Sequence, residues 1–361
     1  MDEFVRELVA SGNSPATCRS YTYDLLGWFR FLQVVNTSWD RATRRHVRDY
    51  VLSILAADNP QRRRRRPDTP PPGSMNATTG KPYLARGYAP ATINHRLSVI
   101  RAFYDFQAEL GLGPVVNPVP AQRRGESRRN AHHNPLEPWP VGRRATYRQK
   151  EPRGAPRSIP DEAWQELWAA LDNHRDRALF SLLLASAPRA QELLDMRGHD
   201  VDWGGQRVRL TTKGSRAQLW VACSPEALLW LGRYLAEREP RALSEPLWWT
   251  LRSPTRPLTY PALRAILQRL NARLETNWTL HDFRHTCAIR MASDPKLTII
   301  DLQNHLRHAR PASSEPYLNA RPEEVIARVQ EHQQRPPPKP PPAVWNYKDD
   351  DLDVLLGGGA P

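Results

Sequence analysis

Two stretches poor in apolar side chains limit what this sequence can fold into. Residues 57–88 are rich in Arg, Pro and Gly and lack apolar periodicity, and residues 121–157 interleave Lys and Arg with Pro, Gly and His. A buried core therefore has to come from the segments outside them. A chain of 361 residues is long enough for two such cores. We expect a mainly α fold with a small antiparallel β-sheet, an α+β chain of two domains.

The first 120 residues have the pattern of a helical domain. Ser14 and Pro15 supply a helix cap and a proline at the first helical position, and four apolar side chains then share one face: Leu25, Trp28, Phe29 and Leu32. A second helix is predicted over about residues 46–55. After the insertion at 57–88, "APATINHRLSVIRAFYDFQAELG" echoes the earlier "SPATCRSYTYDLLGWFRFLQ". We predict a domain of about four helices over residues 1–120.

The second half begins after a basic linker at 121–157. "SIPDEAWQELWAALD" opens a domain over 158–335, and "RDRALFSLLLASA" should turn four side chains inward: Leu179, Leu182, Leu183 and Ser186. Two strands are predicted at "QRVRLTT" and "AQLWVAC", joined by the turn "KGSR". Further helices are expected at 260–274, 284–292 and 298–306. Residues 336–361 form a Pro-rich and then acidic tail, either disordered or docked on a neighbouring protomer.

The charge balance indicates the class of partner. A formal net charge of +14 exceeds what solubility requires and favours a polyanion, nucleic acid before membrane. The alternative is an Arg-rich coding bias that inflates every surface. Three scattered cysteines predict neither a disulfide framework nor structural zinc. No apolar run is long enough for a membrane span, and the acidic start is unlike a signal peptide, so we expect a cytoplasmic protein.

Two short motifs carry the chemistry. In "TLHDFRHT", His281 and Arg284 lie three residues apart at a predicted helix start, so both can face one ligand, whereas His285 is displaced and is interpreted as structural. In "LRHARPASSEPYL", Tyr317 follows His308 by nine positions. Basic side chains of this kind can hold the oxygens of a transferring phosphoryl group, and a tyrosine beside them can serve as nucleophile.

With two further motifs the sequence resembles the tyrosine recombinases, or phage integrase family. Arg189 and Glu192 in "SAPRAQELLDMRGHDVDW" are similar to the family's first arginine box, and Lys213 in "VRLTTKGSRAQ" to its β-hairpin lysine. The N-terminal helices resemble the family's core-binding domain and the second half its catalytic domain, so the likeness covers about residues 1–330. The long insertion and linker are similar to those of transposase-type members from mobile elements.

The resemblance implies a reaction and a role for each residue. Tyr317 would attack a DNA phosphate to give a 3′-phosphotyrosine and a free 5′-hydroxyl, without metal, ATP or other cofactor. Arg189 and Arg284 would clamp the nonbridging oxygens, and Lys213 would protonate the leaving oxygen. His281 would be the acid-base partner of the nucleophile, and His308 would bond the phosphate.

The resemblance also implies partners and a setting. Expected partners are double-stranded DNA, three further copies in a homo-tetramer on paired DNA sites, and partner recombinases, with no membrane; the expected setting is a bacterial nucleoid. From charge alone, phosphate contacts are expected from the basic residues outside the site: Arg62, Arg63, Arg64, Arg65, Arg66, Arg96, Arg143, Arg144, Arg148 and Lys150. The run Arg62 to Arg66 has a solvated flexible loop as its alternative.

Departures and alternatives remain open at this point. Pro188 and Arg307 stand where the family usually has glycine-containing turns, which puts the geometry of both turns in question. His281 and His285 have the i, i+4 spacing of metal ligands, with Cys287 close by, and a metal-dependent nuclease would use them so. Arg189 alone could be a surface arginine and Lys213 a turn lysine. A non-catalytic DNA-binding protein that retains the fold is the remaining alternative.

Overall fold

A computed structural model describes residues 1–59, 70–120, 146–151, 157–212, 216–308, 314, 317, 326, 329–331 and 333–335. Most of these residues are helical, and the described helices are α1 (Asp2–Ala10), α2 (Pro15–Val34), α3 (Arg44–Ala56), α4 (Pro90–Glu109), α5 (Asp161–Ala169), α6 (His174–Ala185), α7 (Ala190–Leu194), α8 (Pro225–Ala236), α9 (Tyr260–Arg273), α10 (Leu280–Ala292) and α11 (Ile299–Leu306). Three strands complete the described fold: β1 (Val201–Asp202), β2 (Arg207–Thr211) and β3 (Gln218–Ala222).

Helices α1 to α4 enclose the N-terminal core. The Ser14 hydroxyl accepts a hydrogen bond from the backbone N–H of Thr17 at 3.2 Å, so α2 starts where its cap predicts. Leu25, Trp28 and Leu32 are buried as predicted. The Trp28 indole donates to the Tyr104 hydroxyl at 3.1 Å, which joins α2 to α4 through a satisfied polar contact inside the core.

The C-terminal core forms around α6, which packs against α8 and α10. The side chains predicted to face inward from α6, Leu179, Leu182 and Leu183, are buried. The Phe180 and Phe283 rings, whose centroids lie 5.2 Å apart, join α6 to α10. This aromatic contact holds the Phe283 side of α10 against the core. Polar side chains can then occupy the opposite side of the helix.

The sheet is antiparallel in the order β1-β2-β3, with Arg209 opposite Trp220. Both predicted strands are present, so the predicted mainly α fold with a small antiparallel sheet is confirmed. Strand β1 and helices α7 and α8 were not predicted, and α1 belongs to the predicted set of about four N-terminal helices but was not located in the sequence. The Ser224 hydroxyl caps α8 ahead of Pro225, the same signal that marked α2.

The described parts of the insertion, residues 57–59 and 70–88, contain neither a helix nor a named strand. The second of these folds back on itself in a hydrogen-bonded turn, with an isolated bridge between Met75 and Pro82. The predicted domain limits at 120 and 158 stay a prediction, because most of the linker lies outside the described residues. Within the described ranges, no helix has the length and apolarity that crossing a membrane requires.

Candidate active site

Five of the six predicted catalytic side chains lie in described parts of the structure. Arg189 precedes α7, His281 and Arg284 lie on α10, and His308 follows α11. Tyr317 is described beyond it, whereas Lys213 falls outside the described residues. The site is therefore assembled from three separate helix ends, at least in the described ranges.

A capping box sets the start of α10. The carboxylate of Asp282 accepts hydrogen bonds from the backbone N–H and the hydroxyl of Thr279, at 2.7 and 2.9 Å. This reciprocal cap starts the helix at Leu280, four residues before the predicted position 284. His281 consequently lies in the first helical turn, with Arg284 and His285 in the next.

Arg284 is the buried centre of the site. Its guanidinium donates to the carbonyl oxygens of Ala187 and Leu306, which connects the turn before Arg189 with the end of α11. Burial, with the charge of Arg189 alongside, lowers the pKa of Arg284 to about 10. The group is still charged at neutral pH, so a positive charge is held within the protein close to the tyrosine.

Tyr317 is almost fully buried, with 5% of its surface exposed. It packs in a small apolar cluster with Cys287, Leu302 and Leu306. Its hydroxyl lies 2.9 Å from Nδ1 of His285. Burial raises the pKa of Tyr317, and the nearby charge of Arg284 opposes this only in part. The phenol is therefore protonated at neutral pH and needs a base.

His285 is the functional candidate that the sequence analysis missed. Burial and the neighbouring His281, whose ring centroid is 4.3 Å away, lower the pKa of His285 to about 4. A neutral imidazole protonated on Nε2 would present Nδ1 as an acceptor to the Tyr317 hydroxyl. The i, i+4 spacing from His281 was the available signal, because it places both rings on one face of α10.

His308 also packs against the Tyr317 ring. Its ring is nearly parallel to that of Tyr317, at 6.4 Å between centroids, and its Nδ1 is 2.8 Å from the hydroxyl oxygen of Ser314. Burial and the charge of Arg284 lower the pKa of His308 to about 4. It is thus a neutral group with a fixed orientation at neutral pH.

The carboxylate of Glu192 binds both Arg189 and Arg307. It accepts from the backbone N–H of Arg189 at 2.9 Å, from the Arg189 guanidinium at 2.7 Å and from Arg307 at 3.0 Å. Burial alone would raise the pKa of Glu192, but the Arg189 backbone bond and the Arg307 charge bring it below its usual range. The Arg189 side chain keeps 38% exposure, so it can also meet a ligand.

The turn before Arg189 and the turn at Arg307 both adopt the left-handed backbone conformation that glycine favours. Ala187, just before Pro188, has φ 45°, and Arg307 ends α11 with φ 55° and ψ 44°. The Arg307 side chain is fully buried and donates to the Ala187 carbonyl at 2.8 Å. Both turns are therefore left-handed without glycine, and the buried Arg307 side chain joins them through its bond to Ala187.

Two family models match this chain. The model described as "Phage integrase family" matches residues 157–324, and that described as "Phage integrase, N-terminal SAM-like domain" matches residues 1–66. Together they cover more than half of the sequence. The chain belongs to the phage integrase family.

Curated relatives of this integrase-family chain include Xer recombinases. Tyrosine recombinase XerD of Lacticaseibacillus casei is 29% identical over 123 residues, which cover 32% of this chain and 41% of the relative. Tyrosine recombinase XerC of Myxococcus xanthus is 27% identical over 235 residues, covering 63% of this chain and 59% of the relative. The chain therefore spans about half the length of these curated relatives.

Solved structures with the same fold include two integrases. The Tn1549 transposon integrase in complex with a circular intermediate DNA superposes with a TM-score of 0.58 at 13% identity, covering 91% of this chain and 97% of the other. A lambda integrase dimer bound to a COC′ core site also gives 0.58, at 12% identity and with coverage of 89% and 95%. Both likenesses support the phage integrase fold for this chain.

The basic residues predicted to bind DNA are only partly described. Arg62 to Arg66, Arg143 and Arg144 lie outside the described residues, whereas Arg148 and Lys150 are exposed. Arg96 faces the N-terminal core of this integrase-family chain. Its guanidinium is 3.3 Å from the Asp24 carboxylate and lies over the Tyr88 ring at 4.4 Å. Contact with DNA would require Arg96 to leave these partners.

The geometry does not favour the metal-site alternative. Cys287 approaches His305, at 3.8 Å between Sγ and Nε2, instead of joining His281 and His285. Among the described residues, no group of three or more His, Cys, Asp or Glu side chains could hold a metal ion. In this phage integrase family site, the i, i+4 histidine pair faces Tyr317 through His285.

Proposed function

We propose that this member of the phage integrase family cuts and rejoins double-stranded DNA at specific sites, with Tyr317 as the nucleophile. The observation that carries the proposal is the 2.9 Å contact between the Tyr317 hydroxyl and His285, beside the buried Arg284. A protonated phenol, a neutral acceptor and a fixed cation are what attack on a phosphodiester needs.

Cleavage would replace one phosphoester bond with another. The Tyr317 oxygen forms a bond to phosphorus while the bond from phosphorus to the 5′-oxygen breaks, which leaves a 3′-phosphotyrosine and a 5′-hydroxyl. The phenolic proton passes to His285, and the leaving oxygen takes its proton from Lys213, as the resemblance implies. A second 5′-hydroxyl reverses the step on another strand.

The remaining groups would stabilise the phosphorane-like transition state. Arg284 and the exposed part of Arg189 would hold the nonbridging oxygens, worth several kcal/mol when the donors are preorganised. His308 is oriented by Ser314 through Nδ1, which leaves Nε2 as the atom to bond the phosphate. His281, exposed at the first turn of α10, would face the phosphate, and His285 takes the proton instead.

We further infer the setting of the reaction. The net charge of +14 supports duplex DNA as the partner. The lambda integrase neighbour is a dimer on its core site, which supports a pair of protomers on each site, and two such pairs would make the tetramer that we propose for exchange. Partner recombinases and a place on the bacterial nucleoid follow from the same proposal.

The direct test is a covalent protein-DNA complex formed in EDTA. Sheared total DNA from the encoding organism is incubated with the full chain, the mixture is denatured in SDS, and the DNA that stays with the protein is sequenced. A duplex of the recovered site, nicked near the scissile phosphate, should then accumulate the complex, with the attached strand joined through its 3′ end. Specific binding without cleavage or covalent complex would favour the non-catalytic alternative, and cleavage that leaves no covalent complex and stops in EDTA would favour a metal-dependent nuclease.

Cleavage is expected to hold its rate as the pH falls through the usual histidine range. His285 accepts a proton only while neutral, and its pKa of about 4 keeps it neutral where an ordinary imidazole, near ~6.5, becomes charged. Single-turnover cleavage of the nicked duplex should change by less than about twofold between pH ~7.5 and ~5.5.

The control for this pH series is a measurement of folding at each pH. Unfolding frees His285 and His308 to bind protons below ~6.5, so stability decreases as the pH falls from there toward 4. Circular dichroism at each pH identifies that loss. A cleavage rate that falls with a midpoint near ~6.5 while the fold is intact would contradict the role of His285.

A further inference from the structure

The described part of the insertion forms a compact turn at residues 74–83, here called the inserted turn. Its two sides are joined by backbone hydrogen bonds from Asn76 to Lys81 at 3.0 Å and from Tyr83 to Ser74 at 2.8 Å. The Asn76 side chain accepts from the backbone N–H of Thr79 at 2.7 Å, which fixes the bend. The turn is thus ordered by its own contacts.

The inserted turn docks on the segment that leads into α10. The Asn76 amide donates to the carbonyl of Glu275 at 2.8 Å, and the Thr79 hydroxyl donates to the side chain of Asn277 at 2.6 Å. The Asn277 amide returns a bond to the Lys81 carbonyl at 3.0 Å. Asn76 is only 5% exposed, so this contact excludes water from at least part of its surface.

Lys81 extends the contact to the catalytic helix itself. Its ammonium is 2.5 Å from Oδ2 of Asp282, the same oxygen that accepts from Thr279 in the capping box of α10. Both side chains are largely shielded, with 24% exposure for Lys81 and 9% for Asp282. A shielded pair of this kind is screened less than a surface pair, so it can fix the position of the carboxylate.

We infer that Lys81 is a positioning residue for the proposed DNA cleavage. By holding Asp282, it keeps the first two turns of α10, which carry His281 and His285, in position beside Tyr317. This inference rests on the proposed function and adds a residue from the N-terminal half to the site. The inserted turn would thereby make the geometry of α10 depend on where the N-terminal half lies.

The test separates positioning from DNA contact. With the full chain and the recovered nicked duplex, Lys81→Met should lower the single-turnover cleavage rate at saturating DNA by about tenfold or more, because misplacement of about 1 Å costs on that scale. DNA affinity should stay within about twofold, and Lys81→Arg should restore most of the rate. Lys296→Met, which removes one exposed lysine elsewhere, is the matched control and should match the wild type.

The role of Lys81 can also be tested at its neighbour Thr79 and at the backbone amides of α10. Thr79→Val breaks the contact to Asn277 without a change of charge. It should also lower the cleavage rate, by a smaller factor than Lys81→Met. Hydrogen exchange of the amides in the first turns of α10 should speed up in Lys81→Met and not in Lys296→Met, whether or not the protein cleaves DNA.

The possible results distinguish a positioning role for Lys81 from a phosphate contact and from a failure of the proposed function. Weaker DNA binding with an unchanged rate at saturation would make Lys81 a phosphate contact and overturn the inference. Unchanged exchange in α10 would overturn it too. A wild-type chain that forms no covalent complex would instead count against the proposed function, and hydrogen exchange would still decide the role of Lys81.

Discussion

Tyr317→Phe is expected to abolish the covalent protein-DNA complex while the protein still folds and binds DNA. The substitution keeps the buried ring in its cluster with Cys287, Leu302 and Leu306 and removes only the oxygen that meets His285. Its cost to stability should be about 1 kcal/mol, the net value of one hydrogen bond. No other side chain in the described site offers a hydroxyl in contact with His285.

The measurement is the fraction of nicked duplex that remains attached to protein after SDS. Tyr317→Phe should give only background, and Tyr260→Phe, at an exposed tyrosine on α9, should equal the wild type. A gel shift with the same duplex should be unchanged in both variants. A Tyr317→Phe protein that still forms the complex would assign the nucleophile to another residue and overturn the proposed mechanism.

The sequence indicated Tyr317 as the proposed nucleophile, whereas it indicated His281 and not His285 as the acid-base partner. The nine-residue interval from His308 to Tyr317 is local, so it can be recognised in the sequence without knowledge of the fold. The pairing of Tyr317 with His285 is not local, because it depends on how residue 317 approaches α10 across 32 positions. On sequence alone His285 follows Arg284 and turns about 100° away from it, which made the residue look displaced.

The elements were predictable where caps and periodicity agree. Ser14 and Pro15 located α2, and apolar runs on either side of the turn "KGSR" located β2 and β3. Helix α8 carries the same cap and could have been found. The docking of the inserted turn could not, because it is made by polar side chains and backbone carbonyls, for which no apolar pattern exists.

Arg307 shows how a departure from the family pattern can be compensated. A left-handed residue other than glycine costs about 1–2 kcal/mol. Here the arginine that accepts that cost also gains a buried ion pair with Glu192 and a hydrogen bond to the Ala187 carbonyl. The same carbonyl accepts from Arg284, so the turn before Arg189 is held by two guanidinium groups.

Arg307→Gly is therefore expected to destabilise the protein, although glycine suits the backbone at that position. Relief of the left-handed conformation should return about 1 kcal/mol, whereas breaking a buried pair typically costs about 3–5 kcal/mol. The net loss in free energy of unfolding should be about 2–4 kcal/mol, measured by urea denaturation. Arg216→Gly is the matched control, because Arg216 also has positive φ, at 53°, but is exposed. It should be neutral or gain up to ~1 kcal/mol. If both variants were equally stabilised, the backbone conformation would outweigh the buried pair, and Arg307 would have no part in holding the site together.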